Sequence, residues 1–225
     1  MKSTYLGLCA CLLSLAYLTP GLGQSRWAVS INLAPIYACA DYKRVLPFPS
    51  VNLPGPTATE LISKTHSWGY LLGLMGQYRF SANWSASAGI WATQINTSKG
   101  TFTTDGYPVA VSYSNTHPFN YAYQVPLMVN YQSANKRLSP YVSAGVSANF
   151  RATSYYNLSG GEIAIKLGPP VIFTPILGIG AIYHLNEQVS LVLQPMIQYD
   201  VRVRPTYVYY HSFPISLQTQ LIYRF

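Results

Sequence analysis

The chain has 225 residues, of which 49% are hydrophobic, 14% aromatic and only 9% charged, whereas a soluble domain carries about 25% charged residues. The aromatic content excludes a disordered chain, and the 16 Gly and 16 Pro exclude a long coiled coil. Fourteen Lys and Arg against 6 Asp and Glu give a formal charge of +8, but the cations are scattered singly or in pairs, which argues against a nucleic-acid partner.

Met1-Lys2 forms a minimal positive n-region ahead of an apolar run from Tyr5 to Leu18. Gly21-Leu22-Gly23 then places small residues where a signal peptidase needs them, so residues 1–23 read as a cleaved signal peptide and 24–225 as one domain of about 200 residues. The alternative, a transmembrane anchor, needs ~20 apolar residues and the run is shorter. Cleavage removes Cys9 and Cys11 and leaves Cys39 alone, so no intrachain disulfide holds the exported domain. Cys11 is a poor lipidation site, because cleavage there leaves too short an h-region.

The rest of the chain alternates apolar and polar residues with the period of a strand. Residues 27–33 open the pattern, and Pro35-Ile36 suggest a bulge or a phase slip before Tyr42. Residues 66–80 and 84–96 repeat it with more Gly and Ala. Residues 97–114 are expected to prolong the third and fourth strands beyond the membrane, turning at Asp105-Gly106. In 121–131 the odd residues are Tyr, Val and Leu, and in 138–152 Val, Ala and Phe alternate with Ser, Tyr and Asn. The segment 171–185 is apolar enough to resemble a helix, but Pro175, Gly178 and Gly180 and a length of only about 15 residues favour a strand. Segments 189–203 and 213–225 complete eight strands. Their connections alternate between short (81–83, 132–137, 186–188) and long (43–65, 97–119, 153–170, 204–212). Short turns on one side and long loops on the other are the pattern of an antiparallel up-and-down transmembrane β-barrel, with the short turns periplasmic.

A soluble calycin also alternates, but it hides its apolar set and covers itself with Lys and Glu. Here the polar set is Ser, Gly, Gln and Asn, and aromatics gather at the strand ends. Tyr78, Phe80, Trp84, Tyr131 and Tyr183 fall beside the short turns, and Trp68, Tyr121, Phe150, Phe173, Tyr199 and Phe213 near the long loops. Two aromatic girdles around an apolar band identify lipid as the environment of the apolar face. Eight strands enclose a lumen just wide enough for side chains to fill. Arg151, Asp200 and Arg202 are expected to project inward near the outer end, and Arg79 and Arg224 near the periplasmic end, in charge networks that plug it. Asp41 joins them if the first strand slips phase. Trp91 also points inward and fills volume.

Residues 121–150, YAYQVPLMVNYQSANKRLSPYVSAGVSANF, resemble the centre of the PorT-like outer-membrane β-barrel family of Bacteroidota. Gln124-Val125-Pro126-Leu127 match its first strand, and Pro140-Tyr141-Val142 through Ala144-Gly145-Val146-Ser147 match the strand that follows its short turn, while Asn130 departs from a common Lys. The final LIYRF, with Tyr223 and Phe225, resembles the C-terminal signal read by the barrel assembly machinery. The resemblance implies an outer-membrane barrel, and its named member participates in secretion.

Candidate chemistry is sparse. His211-Ser212 falls where eight-stranded lipid A deacylases keep a His/Ser pair, but neighbours on a strand point to opposite faces, which an activated nucleophile cannot use. His66, His117 and His184 share no ligand spacing, so neither a metal nor another cofactor is expected. The Tyr-, Pro- and Thr-rich outer loops offer adaptable contact surface, and strand edges there could bind a protein partner by β-augmentation. The sequence thus predicts a monomeric, non-enzymatic barrel exported to the bacterial outer membrane, with structural, adhesion-like or complex-forming roles. A small-solute or ion channel is the alternative, and a lipid A-modifying enzyme the third reading.

Overall fold

The computed structural model describes residues 26–49, 58–104, 107–114, 121–133, 136–150, 154–158, 161–165, 170–200 and 207–225. The expected signal peptide and its cleavage site lie outside the described residues. The strands are β1 (Trp27–Pro49), β2 (Ala58–Arg79), β3 (Trp84–Thr104), β4 (Tyr107–Ser114), β5 (Ala122–Gln132), β6 (Leu138–Phe150), β7 (Ser154–Leu158), β8 (Gly161–Ile165), β9 (Val171–His184), β10 (Val189–Gln198) and β11 (Tyr207–Arg224).

Eight of them form a closed antiparallel ring, in the order β1-β2-β3-β5-β6-β9-β10-β11 and back to β1. Each of these strands has a partner on both sides, so the ring has no edge within the span. That is the up-and-down barrel the alternation predicts. Among the described residues β4 pairs only with the upper part of β3, and β7 pairs with β8 in a separate hairpin.

The ring is turned inside out relative to a soluble barrel. Along β5 and β10, exposed Val125, Leu127, Leu193 and Ile197 alternate with buried Met128, Asn130, Gln194 and Gln198. Apolar residues face outward all round the ring, from Ile31 and Leu74 to Ile179 and Leu217. In water such a belt far exceeds the few hundred Å² of apolar patch a soluble monomer tolerates. In lipid it is the solvent-matched surface, and the ring supplies every backbone hydrogen bond internally.

Two readings of the first strand needed revision. Pro35 and Ile36 make no slip: Ala34 and Ile36 are buried, Pro35 is exposed, and β1 stays in register with β2 from Trp27↔Tyr78 to Leu46↔Thr59. Asp41 therefore keeps the outward phase of Ile31 and Leu33 and does not enter the lumen. β1 shifts register only farther along, at Lys43/Arg44 against β11 and Leu46/Pro49 against β2, and a further shift lies in β3, where Trp68 pairs with Thr97 but Gly69 with Ile95. The extra residue, Asn96, is a β-bulge that reverses which β3 side chains face out.

The second revision concerns length. β1, β2 and β3 run 23, 22 and 21 residues, about twice the ~9–11 that cross a bilayer. Their upper halves occupy much of what the sequence assigns to loops. With β4 and the start of β11 they form a wall in the order β4-β3-β2-β1-β11 on the long-loop side. The expected hairpin is present there, since Thr104 pairs with Tyr107 across residues 105–106. A hydrogen-bonded ring of this kind resists detergent, so unheated protein in SDS should migrate differently from boiled protein. A single unchanged band, with recovery from the soluble periplasm, would contradict the fold.

Candidate functional site

Mid-barrel, the lumen is closed by amides and hydroxyls bonded across strands. Ser143 Oγ donates to Gln194 Oε1 at 3.2 Å, Gln194 Nε2 to Gln218 Oε1 at 2.7 Å, and Gln218 Nε2 to Asn32 Oδ1 at 2.7 Å. This ladder crosses from β6 to β1, and its three amide side chains are at most 1% exposed. It passes over β9 because Gly178, the partner of Ser143, has no side chain: a Cβ there would lie 3.0 Å from Gln194 Oε1. A second rung joins Asn130 Nδ2 to Ser87 Oγ at 3.0 Å, and a third Gln220 Nε2 to Ser30 Oγ at 2.7 Å.

Apolar side chains fill the remaining width. Trp91, 1% exposed, lies with Ile36, Leu71, Met75, Met128, Ile176 and Met196 in one cluster. Its ring rests on Gly73, where a Cβ would come within 2.1 Å of Trp91 Cδ1. Nearer the short turns, Tyr141, Ile182, Val192 and Ile222 form another cluster. The Gln132 amide nitrogen lies 2.9 Å from His184 Nε2, and His184 Nδ1 lies 2.8 Å from Ser190 Oγ.

The charged residues expected in the lumen divide into groups. Arg79 and Arg224 lie half-buried at the short-turn end and line one cavity together. Asp200 is buried at the outer end, where its backbone nitrogen donates to Ser212 O at 3.0 Å. Arg151 and Arg202 lie outside the described residues. The ion pairs among the described residues sit on the outward face of the wall: Lys43 Nζ to Glu60 Oε2 at 2.7 Å, and Lys64 Nζ to Asp41 Oδ2 at 3.9 Å. Tyr209 hydroxyl donates to Asp41 Oδ1 at 3.3 Å. Burial and that carboxylate raise the phenol above its ordinary value, so it remains a donor.

The aromatic residues form outward pairs at the two ends of the span. Near the short turns Trp84 meets Tyr131 with centroids 4.8 Å apart, Tyr78 meets Trp27 at 4.8 Å, and Arg137 caps Tyr183 at 5.3 Å. Tyr223 meets Phe225 edge-on at 5.4 Å, and Phe80 is exposed beside them. At the other end Trp68 meets Tyr37 at 4.5 Å, Tyr199 meets Phe213 at 4.8 Å, and Tyr70 meets Tyr121 at 6.5 Å, while Phe150 and Phe173 stand exposed. The sequence reading missed Trp27 and Tyr37, whose cross-strand partners only the register reveals.

His211 is exposed and Ser212 buried, so the two face opposite sides of β11. His211 Nδ1 bonds Tyr199 hydroxyl at 2.8 Å instead. Among the described residues no three His, Cys, Asp or Glu side chains converge on a point.

A closed ring with an apolar exterior, aromatic ends and a polar interior defines an integral outer-membrane β-barrel. Its fold is similar to that of Neisserial surface protein A, with 15% identity, 91% of this chain and 100% of that one covered, and a TM-score of 0.49. It is likewise similar to Ail, the attachment invasion locus protein of Yersinia pestis (10%, 87% and 98%, TM-score 0.41), and to the outer membrane protease OmpT from Escherichia coli (11%, 92% and 99%, TM-score 0.46). No family model matches the chain, and no curated protein matches it in sequence.

Gln218→Leu removes both bonds the ladder makes through that residue, to Gln194 Nε2 and Asn32 Oδ1, and each stranded polar group costs about 1–3 kcal/mol. Leu193→Val on the lipid face removes one methylene, about 1 kcal/mol. Urea unfolding in lipid vesicles should therefore show a clearly larger loss for Gln218→Leu. Equal losses would mean the ladder does not hold the barrel together.

Proposed function

We propose that this chain is a monomeric, non-enzymatic outer-membrane barrel that acts through the wall above the membrane, as an adhesion-like or complex-forming protein. The observation that carries the reading is the pairing of a lumen closed at mid-height with strands that continue far beyond the bilayer. Closure removes the route a channel needs. The opposed directions of His211 and Ser212 remove the best candidate for a nucleophile and base.

The wall is suited to contact. Among the described residues β4 bonds β3 along one edge, and its Tyr107 and Val109 are 66% and 58% exposed. A partner strand can add to such an edge through main-chain hydrogen bonds. The resemblance of residues 121–150 to the PorT-like family supports a place in a membrane complex. On the same reading residues 1–23 are removed on export, and Tyr223 and Phe225 are recognised by the barrel assembly machinery.

Ser98 pairs with Tyr113, so deleting residues 99–112 and joining the strands by a short glycine turn shortens the wall, including the partners of residues 61–66 on β2, and leaves the ring within the span intact. The variant should keep its heat-dependent migration but lose the protein that crosslinks to wild type in intact membranes. Retention of that crosslink would move the contact elsewhere. In planar bilayers the wild type should not conduct; steady single-channel currents would establish the channel reading instead. Phe225→Ser should lower outer-membrane abundance, read by fractionation, and unchanged abundance would remove the assembly role.

A further inference from the structure

The short-turn end of the barrel holds a cavity of about 910 Å³. Arg26, Arg79, Lys136, Arg137 and Arg224 line it, and Glu187 is the one acidic side chain among the lining residues. The cations stand in two tiers. Arg26, Lys136 and Arg137 are exposed at the rim, whereas Arg79 and Arg224 are recessed. Tyr141, Gln132 and Ile182 lie deeper, behind the recessed pair.

The recessed pair is held in place by the ring. β2 and β11 flank β1, so the two arginines come from strands about 10 Å apart, two strand spacings. Arg79 N donates to Arg26 O and Arg224 N to Gln188 O, both at 2.8 Å. Both arginines line this cavity and also the recess behind it, which the buried Tyr141 lines with them. Neither forms an ion pair among the described residues; the pairs found there belong to the wall at the opposite end.

Two like charges held side by side in a partly dry recess repel, and an anion between them relieves the repulsion. A guanidinium fork matches the oxygens of phosphate or carboxylate. A carboxylate brings one charge and so balances only one of the two guanidinium groups. A phosphate dianion brings three terminal oxygens and both charges.

We infer that this mouth binds a phosphate-bearing dianion, Arg79 and Arg224 gripping the phosphate while Arg26, Lys136 and Arg137 attract it. A soluble periplasmic phosphate monoester and the monoester headgroup of phosphatidic acid in the inner leaflet both present that chemistry. The site is separate from the wall and does not depend on the contact role proposed for it.

The full barrel in zwitterionic nanodiscs should bind inorganic pyrophosphate saturably by calorimetry, and more weakly as salt rises. Arg79→Gln and Arg224→Gln should each weaken binding about tenfold or more, while Lys99→Gln on the wall leaves it unchanged. If the natural source is a headgroup, nanodiscs containing phosphatidic acid should raise the thermal midpoint without pyrophosphate, and the same two substitutions should abolish the rise. Without any anion, Arg79→Gln should raise the midpoint by relieving repulsion, which a structurally paired arginine would not do. No saturable binding and no lipid-dependent rise would overturn the inference, as would binding that survives the double substitution or a fall in the anion-free midpoint.

Discussion

The whole structure depends on one constraint: inside a bilayer an unpaired backbone N–H or C=O costs several kcal/mol. A sheet meets it only by closing, and here β1 closes the ring by pairing with both β2 and β11. Closure with eight strands sets the radius, and the radius leaves room for side chains but little else. Everything polar on the inward face must then find its partner within that space. The chain answers with uncharged groups, which cost less to bury than ions. Asn32, Gln194 and Gln218 bond one another, and glycines at 73 and 178 make way for Trp91 and Gln194.

Where the lipid ends, the constraint relaxes. β3 takes a bulge at Asn96, β4 pairs along one edge among the described residues, and Lys43, Glu60, Lys64 and Asp41 appear on an outward face that is apolar lower down. The same relaxation at the other end gathers the arginines around the mouth. Both regions with chemistry to offer are thus the water-facing ends, separated by a plug. Communication between them through the lumen would require breaking the ladder.

The fold was legible because lipid on one face and a packed lumen on the other impose strict alternation within the span. Leu127 and Leu193 could be placed outside, and Trp91 inside, from parity alone. Above the membrane the outward face carries Lys43, Glu60, Lys64 and Asp41 in place of apolar residues, and parity loses its meaning. That is why residues 58–65 and 207–212 read as loops although they continue strands. Pro35 suggested an irregularity because it cannot donate to the ladder, but it sits on β1 without shifting the register. The bulge at Asn96 carried no such marker. The mouth was legible only in part: Arg79 and Arg224 could be placed at the same end, but their meeting with Arg26, Lys136 and Arg137 depends on which strands adjoin.

The most direct test of the account is which side chains touch lipid. In nanodiscs with protonated acyl chains and deuterated protein bearing labelled methyl and amide groups, NMR cross-relaxation from acyl methylenes should reach the methyls of Leu127, Leu177, Leu193 and Leu217. It should not reach the side-chain amides of Gln194 and Gln218 or the indole of Trp91. Acyl contact at those interior groups, with none at the leucines, would contradict a barrel that faces lipid with its apolar set and closes its lumen with its polar one.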